Sequence, residues 1–292
     1  MVRPAKVEHT RLLSYEPRLQ SALFLTPIRL AAVIGGGRDH PNALWDDVFL
    51  NMDTVLLGWV FPQGQVALAA QDSAWFAPDM PLGRFITEVL QITYMTYYFY
   101  GNVLLLLLLK TSMQNPSSDT HWRRVRMLLY GWSAAYVLNF AINFVFPAVS
   151  PRLHIHSLYR EPLEGLWLGQ MFQNVIKAGA GGNPAKPTSF GAFPSGHVGL
   201  TWLAALAAER LGYKRYAAVS RVGACLMTCA VVYLRYHYFV DALFALLLVK
   251  TGLKVGRLEY EDQQADRHVC DGPGGVVMGV DEEAGRIGIA MK

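Results

Sequence analysis

Two short fragments carry residues whose types and spacing can do chemistry. The first, "FPSGHVGL", places Ser195, Gly196 and His197 where a glycine- and proline-rich loop runs into an apolar stretch. The second, "RYHYFVD", places His237 and Asp241 four residues apart at the start of another apolar run. Ionisable groups at the mouths of apolar helices are costly unless they serve a purpose there. Ser195 follows Pro194 and suits a helix N-cap. The N–H groups of the first turn, around Gly196 and His197, then have no carbonyl partner inside the helix. Free N–H groups at the positive end of a helix dipole make an anion site. Gly196 carries no side chain to block close approach, and His197 brings a proton donor into the same space. The expected ligand is a phosphate.

The second fragment complements the first. Residues four apart share one helix face, so Asp241 can accept a hydrogen bond from one ring nitrogen of His237. That bond holds the tautomer and leaves a lone pair on the other nitrogen, as in the His–Asp half of a catalytic triad. No serine stands between this histidine and a substrate, so the histidine itself can be the nucleophile. Arg235, two residues earlier, offers positive charge to phosphate oxygens.

The elements that must position these groups are apolar. Of 292 residues, 52% are hydrophobic and 16% charged, with mean hydropathy +0.22. A soluble domain carries about 25% charged residues. The expected fold is therefore all-α, a polytopic membrane helical bundle. A spanning helix needs about 20 mostly apolar residues. Six candidate spans follow: 20–37, 86–109, 125–147, 195–210, 216–235 and 237–255. The stretch 48–62, broken by Asp53 and Pro62, reads as interfacial, and Trp45, Trp59 and Trp75 suit an aromatic belt. Residues 1–19 read as a cytosolic arm, 20–255 as a membrane-embedded catalytic domain, and 256–292 as a flexible cytosolic tail with acidic clusters and glycines. The three cysteines form neither a disulfide framework nor a zinc pattern.

Charge orients the six spans. Arg3, Lys6, Arg11 and Arg18 of the arm, Lys110, Arg123, Arg124 and Arg126, then Arg210, Lys214 and Arg215, and finally Lys250, Lys254 and Arg257 all fall on one side. Cytoplasmic loops are enriched in Lys and Arg, so both termini are expected in the cytosol. Both histidine fragments then lie at the opposite, lumenal or extracytoplasmic boundary.

On "PSGH" followed about forty residues later by "HYFVD", the chain resembles the type 2 phosphatidic acid phosphatase superfamily. "FGAFPSGH", "HYFVD" and the proline-rich "FPAVSPR" (146–152) are most similar to the fungal and protozoan inositol phosphorylceramide synthases. The resemblance covers roughly residues 85–250. It implies a lipid phosphate phosphatase-like core and metal-independent catalysis through phosphohistidine, with no cofactor. Carried over by position, His237 takes the phosphoryl group and Asp241 orients it. His197 protonates the leaving oxygen and then activates the acceptor. Ser195 and Gly196 bind phosphate oxygens.

The chain also departs from the superfamily's hydrolases. It has no early Lys-x6-Arg-Pro string, and Val231 stands where those enzymes have an arginine six residues before the nucleophile. The synthases lack that arginine too. Arg152, Arg235, Lys177 and Lys186 are the candidates for neutralising phosphate. The resemblance thus implies transfer of an inositol-phosphate headgroup from phosphatidylinositol to ceramide or a similar lipid hydroxyl. Hydrolysis of phosphatidic acid or a related lipid phosphate is the alternative, because the same residues serve both. The six spans disfavour the soluble haloperoxidases that share this site, and intact His197, His237 and Asp241 disfavour a turnover-free scaffold. The expected partners are membrane lipids, not nucleic acid. A regulatory subunit is an option that some synthases of this type use. The expected location is an endomembrane (Golgi or endoplasmic reticulum) or the plasma membrane. His154 and His156 read as interfacial loop histidines rather than metal ligands, and the aromatic run 94–100 as packing. Glu88 and Tyr97 are two further residues that can reach a substrate from the second span.

Overall fold

Helix content follows the runs of Leu, Ala, Val and Met between loops marked by Pro, Gly and Asn. The computed structural model describes residues 45–160, 162–179 and 190–257. Its helices are α1 (Asp46–Leu57), α2 (Val66–Gln71), α3 (Pro81–Met95), α4 (Tyr97–Gln114), α5 (Asp119–Val145), the single turn α6 (Pro151–His154), α7 (Leu168–Gly179), α8 (Gly196–Arg210), α9 (Lys214–Tyr233) and α10 (Phe239–Val255). Among the described residues there is no β-strand, only an isolated bridge between Ala148 and Gly191.

Helix α8, "GHVGLTWLAALAAER", is apolar on all sides, which suits a central position. It packs against α9, α10, α4 and α5. Ala204, Ala205, Ala207 and Ala208 are fully buried along it, and these small side chains let its neighbours approach. Leu104 and Leu108 of α4, Leu128 of α5, Leu200 and Leu203 of α8 and Leu248 of α10 fill one continuous core. The contact between α5 and α10 is closer still. A Cβ at Gly131 would lie 2.4 Å from the Gly252 carbonyl oxygen. Small residues at such crossings are the usual route to close packing of apolar helices.

The expected spans survive only in part. Helices α5 and α9 are long and apolar enough to cross a membrane, and α3 and α4 together qualify as one span bent by 43°. The bend falls at Thr96, inside the expected span 86–109. Helices α8 and α10 have 15 and 17 residues, about 22 and 26 Å at 1.5 Å per residue. That is less than a hydrocarbon core of about 30 Å. Their bounds lie within two residues of the expected 195–210 and 237–255, so the short reach is a property of the apolar runs themselves. The expected span 20–37, the arm and all but the first two residues of the tail lie outside the described residues.

The region 48–62 differs most from expectation. Asp53 does not interrupt its helix. Asp46, Phe49 and Asp53 form the buried face of α1, at the spacing of a single helix side. Val55 and Trp59 on the outside are 81% and 84% exposed. Trp59 and Trp75 are thus available to a membrane interface, as the belt reading requires. Trp45 is half-buried and packs against Phe49 and Phe146.

Candidate active site

The two histidine fragments meet at the N-termini of α8 and α10. Ser195 N–H donates to the Asp241 backbone carbonyl at 3.1 Å, and this bond ties the two helix starts together. Ser195 caps α8, its hydroxyl accepting from Val198 N–H at 3.4 Å. Its side chain is buried, and accepting this bond leaves its O–H able to donate. The anion-binding capacity expected of this turn rests on that O–H and on the N–H groups of Gly196 and His197. Asn139 of α5 supports the loop by donating to the Pro194 carbonyl at 3.0 Å. A Cβ at Gly196 would come within 3.1 Å of the Asn139 amide oxygen, so the glycine also makes room for this support.

His237 lies two residues before α10 rather than within it, at the end of a sharp reversal after α9. Tyr236 N–H reaches back to the Val231 carbonyl and Arg235 N–H to that of Val232, the two bonds of a Schellman motif. His237 N–H shares the Val231 carbonyl at 3.0 Å. Arg235 occupies the left-handed position, with φ 67°, where glycine is the usual residue.

The His237 ring is held by two acceptors. Its Nδ1 lies 2.6 Å from the Ala192 carbonyl oxygen and 3.3 Å from Asp241 Oδ2. Both acceptors select the Nδ1–H tautomer and leave the lone pair on Nε2. Asp241 was the expected orienting group, but the shorter contact is to the loop carbonyl. Asp241 Oδ2 also accepts from Tyr238 N–H at 2.9 Å, which caps α10. The Ala192 carbonyl is positioned in turn by "FPAVSPR". Ala148 N–H donates to the Phe190 carbonyl, and Ala192 N–H to that of Ala148, both at 3.1 Å.

Behind His237 lies a group of carboxylates that the sequence reading did not assign. Asp53 accepts Phe239 N–H and Val240 N–H, each at 2.8 Å, and the Gln65 amide at 3.0 Å. It therefore supplies the first turn of α10 from outside that helix. Asp46 accepts the Tyr238 hydroxyl at 2.8 Å and Val149 N–H at 3.0 Å. Burial raises the pKa of both above the ordinary carboxylate value, and their hydrogen bonds oppose the shift. The sequence signal was the spacing of Asp46, Phe49 and Asp53, an inward stripe on α1.

His197 stands across from His237, with ring centroids 5.8 Å apart and planes at 59°. One phosphate group can span that separation. Tyr94 stacks on the His197 ring at 4.3 Å and 24°, and Tyr97 lies against it at 4.4 Å and 48°. The aromatic run 94–100 thus contributes directly to the site, beyond the packing role expected of it. Tyr236 adjoins Tyr94 at 4.6 Å, and the Arg152 guanidinium sits 5.5 Å above the Tyr236 ring. Arg152 N–H donates to the Arg235 carbonyl at 2.9 Å, which fastens α6 to the His237 reversal. The Arg235 guanidinium lies 3.9 Å over Tyr159, a cation–π contact.

The remaining candidates are dispersed. Glu88 accepts the N–H groups of Leu166, Trp167, Leu168 and Gly169. It therefore anchors the start of α7 instead of reaching a substrate. Lys177 belongs to α7, and Lys186 lies outside the described residues. His154 Nε2 pairs with Asp47 at 3.0 Å. Among the described residues, no group of three or more His, Cys, Asp or Glu is arranged to hold a metal ion.

Comparison with known proteins gives two matches. Residues 67–254 fit the family model described as PAP2 superfamily. A PA-phosphatase related-family protein of Dictyostelium discoideum is 36% identical over 228 residues, which cover 74% of this chain and 40% of that protein. The chain thus spans less than half the length of this relative. No solved structure matches.

Proposed function

We propose that this chain, a member of the PAP2 superfamily, is a membrane-embedded enzyme that moves a phosphate-bearing group off a lipid through a phosphohistidine at His237. The observation that carries the reading is the pairing of His237 with His197 at 5.8 Å, beside the free N–H groups of a helix start. His237 Nε2 attacks phosphorus, and the phosphorus–oxygen bond to the diacylglycerol breaks. His197 gives its proton to that oxygen. His197 then takes a proton from the incoming hydroxyl, whose oxygen attacks phosphorus and releases His237. The Ser195 hydroxyl, Gly196 N–H, His197 N–H, Arg152 and Arg235 are the groups proposed to meet the phosphate charge, and Ser195 also caps the helix that begins at Gly196. The chemistry needs no metal.

The finer reading concerns donor and acceptor. The likeness of "FGAFPSGH", "HYFVD" and "FPAVSPR" to inositol phosphorylceramide synthases supports phosphatidylinositol as donor and ceramide or a similar lipid hydroxyl as acceptor. The likeness to a PA-phosphatase related-family protein of Dictyostelium supports the second reading, hydrolysis of a lipid phosphate with water as acceptor. A multi-pass arrangement, with the site at the lumenal or extracytoplasmic boundary and both termini cytosolic, completes the proposal.

The test uses purified full-length protein in detergent with EDTA. Phosphatidic acid and phosphatidylinositol are each supplied with and without ceramide, and free phosphate and new lipids are followed together. An inositol-phosphate-bearing sphingolipid establishes the transferase. Ceramide-independent phosphate release establishes the phosphatase. His237→Ala is expected to abolish either activity while the protein still folds, and unchanged turnover in that variant refutes the phosphohistidine route.

A further inference from the structure

We infer that Tyr94 and Tyr97 are positioning residues that clasp the His197 ring, Tyr94 stacked on a face and Tyr97 at a tilt, and set the plane in which it meets the substrate. The inference rests on the reading of His197 as the proton donor. The two histidines of the site are held by different means. His237 has a carbonyl and a carboxylate on Nδ1. Among the described residues the His197 ring makes no hydrogen bond; only its backbone carbonyl is engaged, by the Thr201 hydroxyl at 2.7 Å. Nothing polar therefore sets the plane of this imidazole, and ring packing must do so.

The packing comes from the break between α3 and α4. Tyr94 is in the last turn of α3 and Tyr97 begins α4, and the 43° bend between them lets residues of two helices lie on one ring. Tyr94 is nearly parallel to the imidazole at 24°, and Tyr97 is tilted at 48°. Each tyrosine is itself anchored. The Tyr97 and Tyr136 hydroxyls are 2.6 Å apart, which ties α4 to α5. Tyr94 rests on Tyr236, whose hydroxyl donates to the Gln91 side chain at 2.9 Å.

The chemical consequence lies in the direction of approach. Both imidazole nitrogens carry their proton or lone pair in the ring plane. With Tyr94 stacked on a face and Tyr97 tilted against the ring, the imidazole plane is held, and a leaving oxygen must arrive in that plane for proton transfer. The flat faces of Tyr94 and Tyr97 do this work; the Tyr97 hydroxyl and the Tyr94–Tyr236 ring contact hold them in place.

The experiment compares two esters, an alkyl lipid phosphate and an aryl phosphate such as p-nitrophenyl phosphate, whose leaving group needs little protonation. The variants are H197A, Y94F, Y97F, the double variant Y94F/Y97F, Y94L and Y97L, each with a thermal midpoint recorded. General-acid catalysis contributes about 100- to 10,000-fold. The leucine variants are expected to lose roughly 10- to 100-fold in kcat on the alkyl ester, with little change in KM and under about 3-fold loss on the aryl ester, a misplaced donor forfeiting part of that factor. The phenylalanine variants keep the ring faces and should lose clearly less on the alkyl ester than the leucine variants, Y97F more than Y94F because it gives up the Tyr136 contact. Equal losses on both esters in the leucine variants, while H197A remains selective for the alkyl ester, overturn the clasp alone. A folded Y94F/Y97F protein that loses as much on the alkyl ester as the leucine variants also overturns it, by assigning the effect to the hydroxyls. Loss of the alkyl–aryl difference in H197A removes His197 as the donor, and the clasp falls with it.

Discussion

Arg235 holds a left-handed backbone at φ 67°, and a pair of substitutions there separates what its backbone costs from what its side chain does. R235A and R235G remove the same guanidinium and the same 3.9 Å contact with Tyr159. They differ by one methyl group. A Cβ in the left-handed region costs about 1 kcal/mol, and glycine avoids that cost. R235G should therefore be more stable than R235A by about 1 kcal/mol, or roughly 2–4 °C in thermal midpoint for a chain of this size class. Loss of the cation–π contact, about 1–2 kcal/mol when shielded from water, should place R235A below the wild type and R235G between the two. The assay is thermal unfolding in detergent, with turnover measured on the same samples. Turnover should fall alike in both variants, because phosphate meets neither a guanidinium nor a substitute for it. R235A as stable as R235G would refute the claim of backbone strain at this reversal. Wild-type turnover in either variant would remove Arg235 from the phosphate-binding set.

Two further predictions concern the carboxylates behind His237. Burial raises the folded-state pKa of Asp46, so the folded protein binds a proton there more readily than the unfolded chain. The resulting stabilisation is complete below the unfolded carboxylate pKa and is lost as pH rises through the folded value. Asp46→Asn keeps an acceptor for Val149 N–H and can donate to the Tyr238 oxygen, so the variant should match the wild type at about pH 4 and exceed it in thermal midpoint at about pH 8; a constant difference across that range would contradict the shift. Asp53→Ala leaves Phe239 N–H, Val240 N–H and the Gln65 amide without their acceptor. Each unpaired buried donor costs about 1–3 kcal/mol, offset in part by relief of carboxylate desolvation, for a net loss of about 3 kcal/mol. A midpoint within 1 °C of the wild type would show that Asp53 does not support the start of α10.

How much of this was legible in the sequence varies by residue. The all-helical character, the start of α8 at Gly196 and the cap at Ser195 follow from local signals, because an N-cap and an apolar run are properties of neighbouring residues. The proximity of His237 to Asp241 is also local, although His237 precedes α10 instead of lying on it. The number of spans was less legible. Hydropathy sums residues without regard to where the backbone bends, so it missed the break at Thr96, and it admitted 195–210 and 237–255 as spans although the helices there are short.

Other features depend on contacts between segments distant in the chain. Asp53 reads as a break in an apolar stretch because hydropathy registers its charge and not the N–H groups of Phe239 and Val240 that receive it. The Ala192 carbonyl becomes the nearer partner of His237 only because Ala148 pairs with the 190–192 strand of loop. Tyr94 and Tyr97 look like packing until α3 and α4 bend around His197. A sequence determines which groups a segment offers, since side-chain type, helix period and caps act within a few residues. Which of those groups meet, and at what angle, depends on long-range packing, and only the tertiary structure decides it.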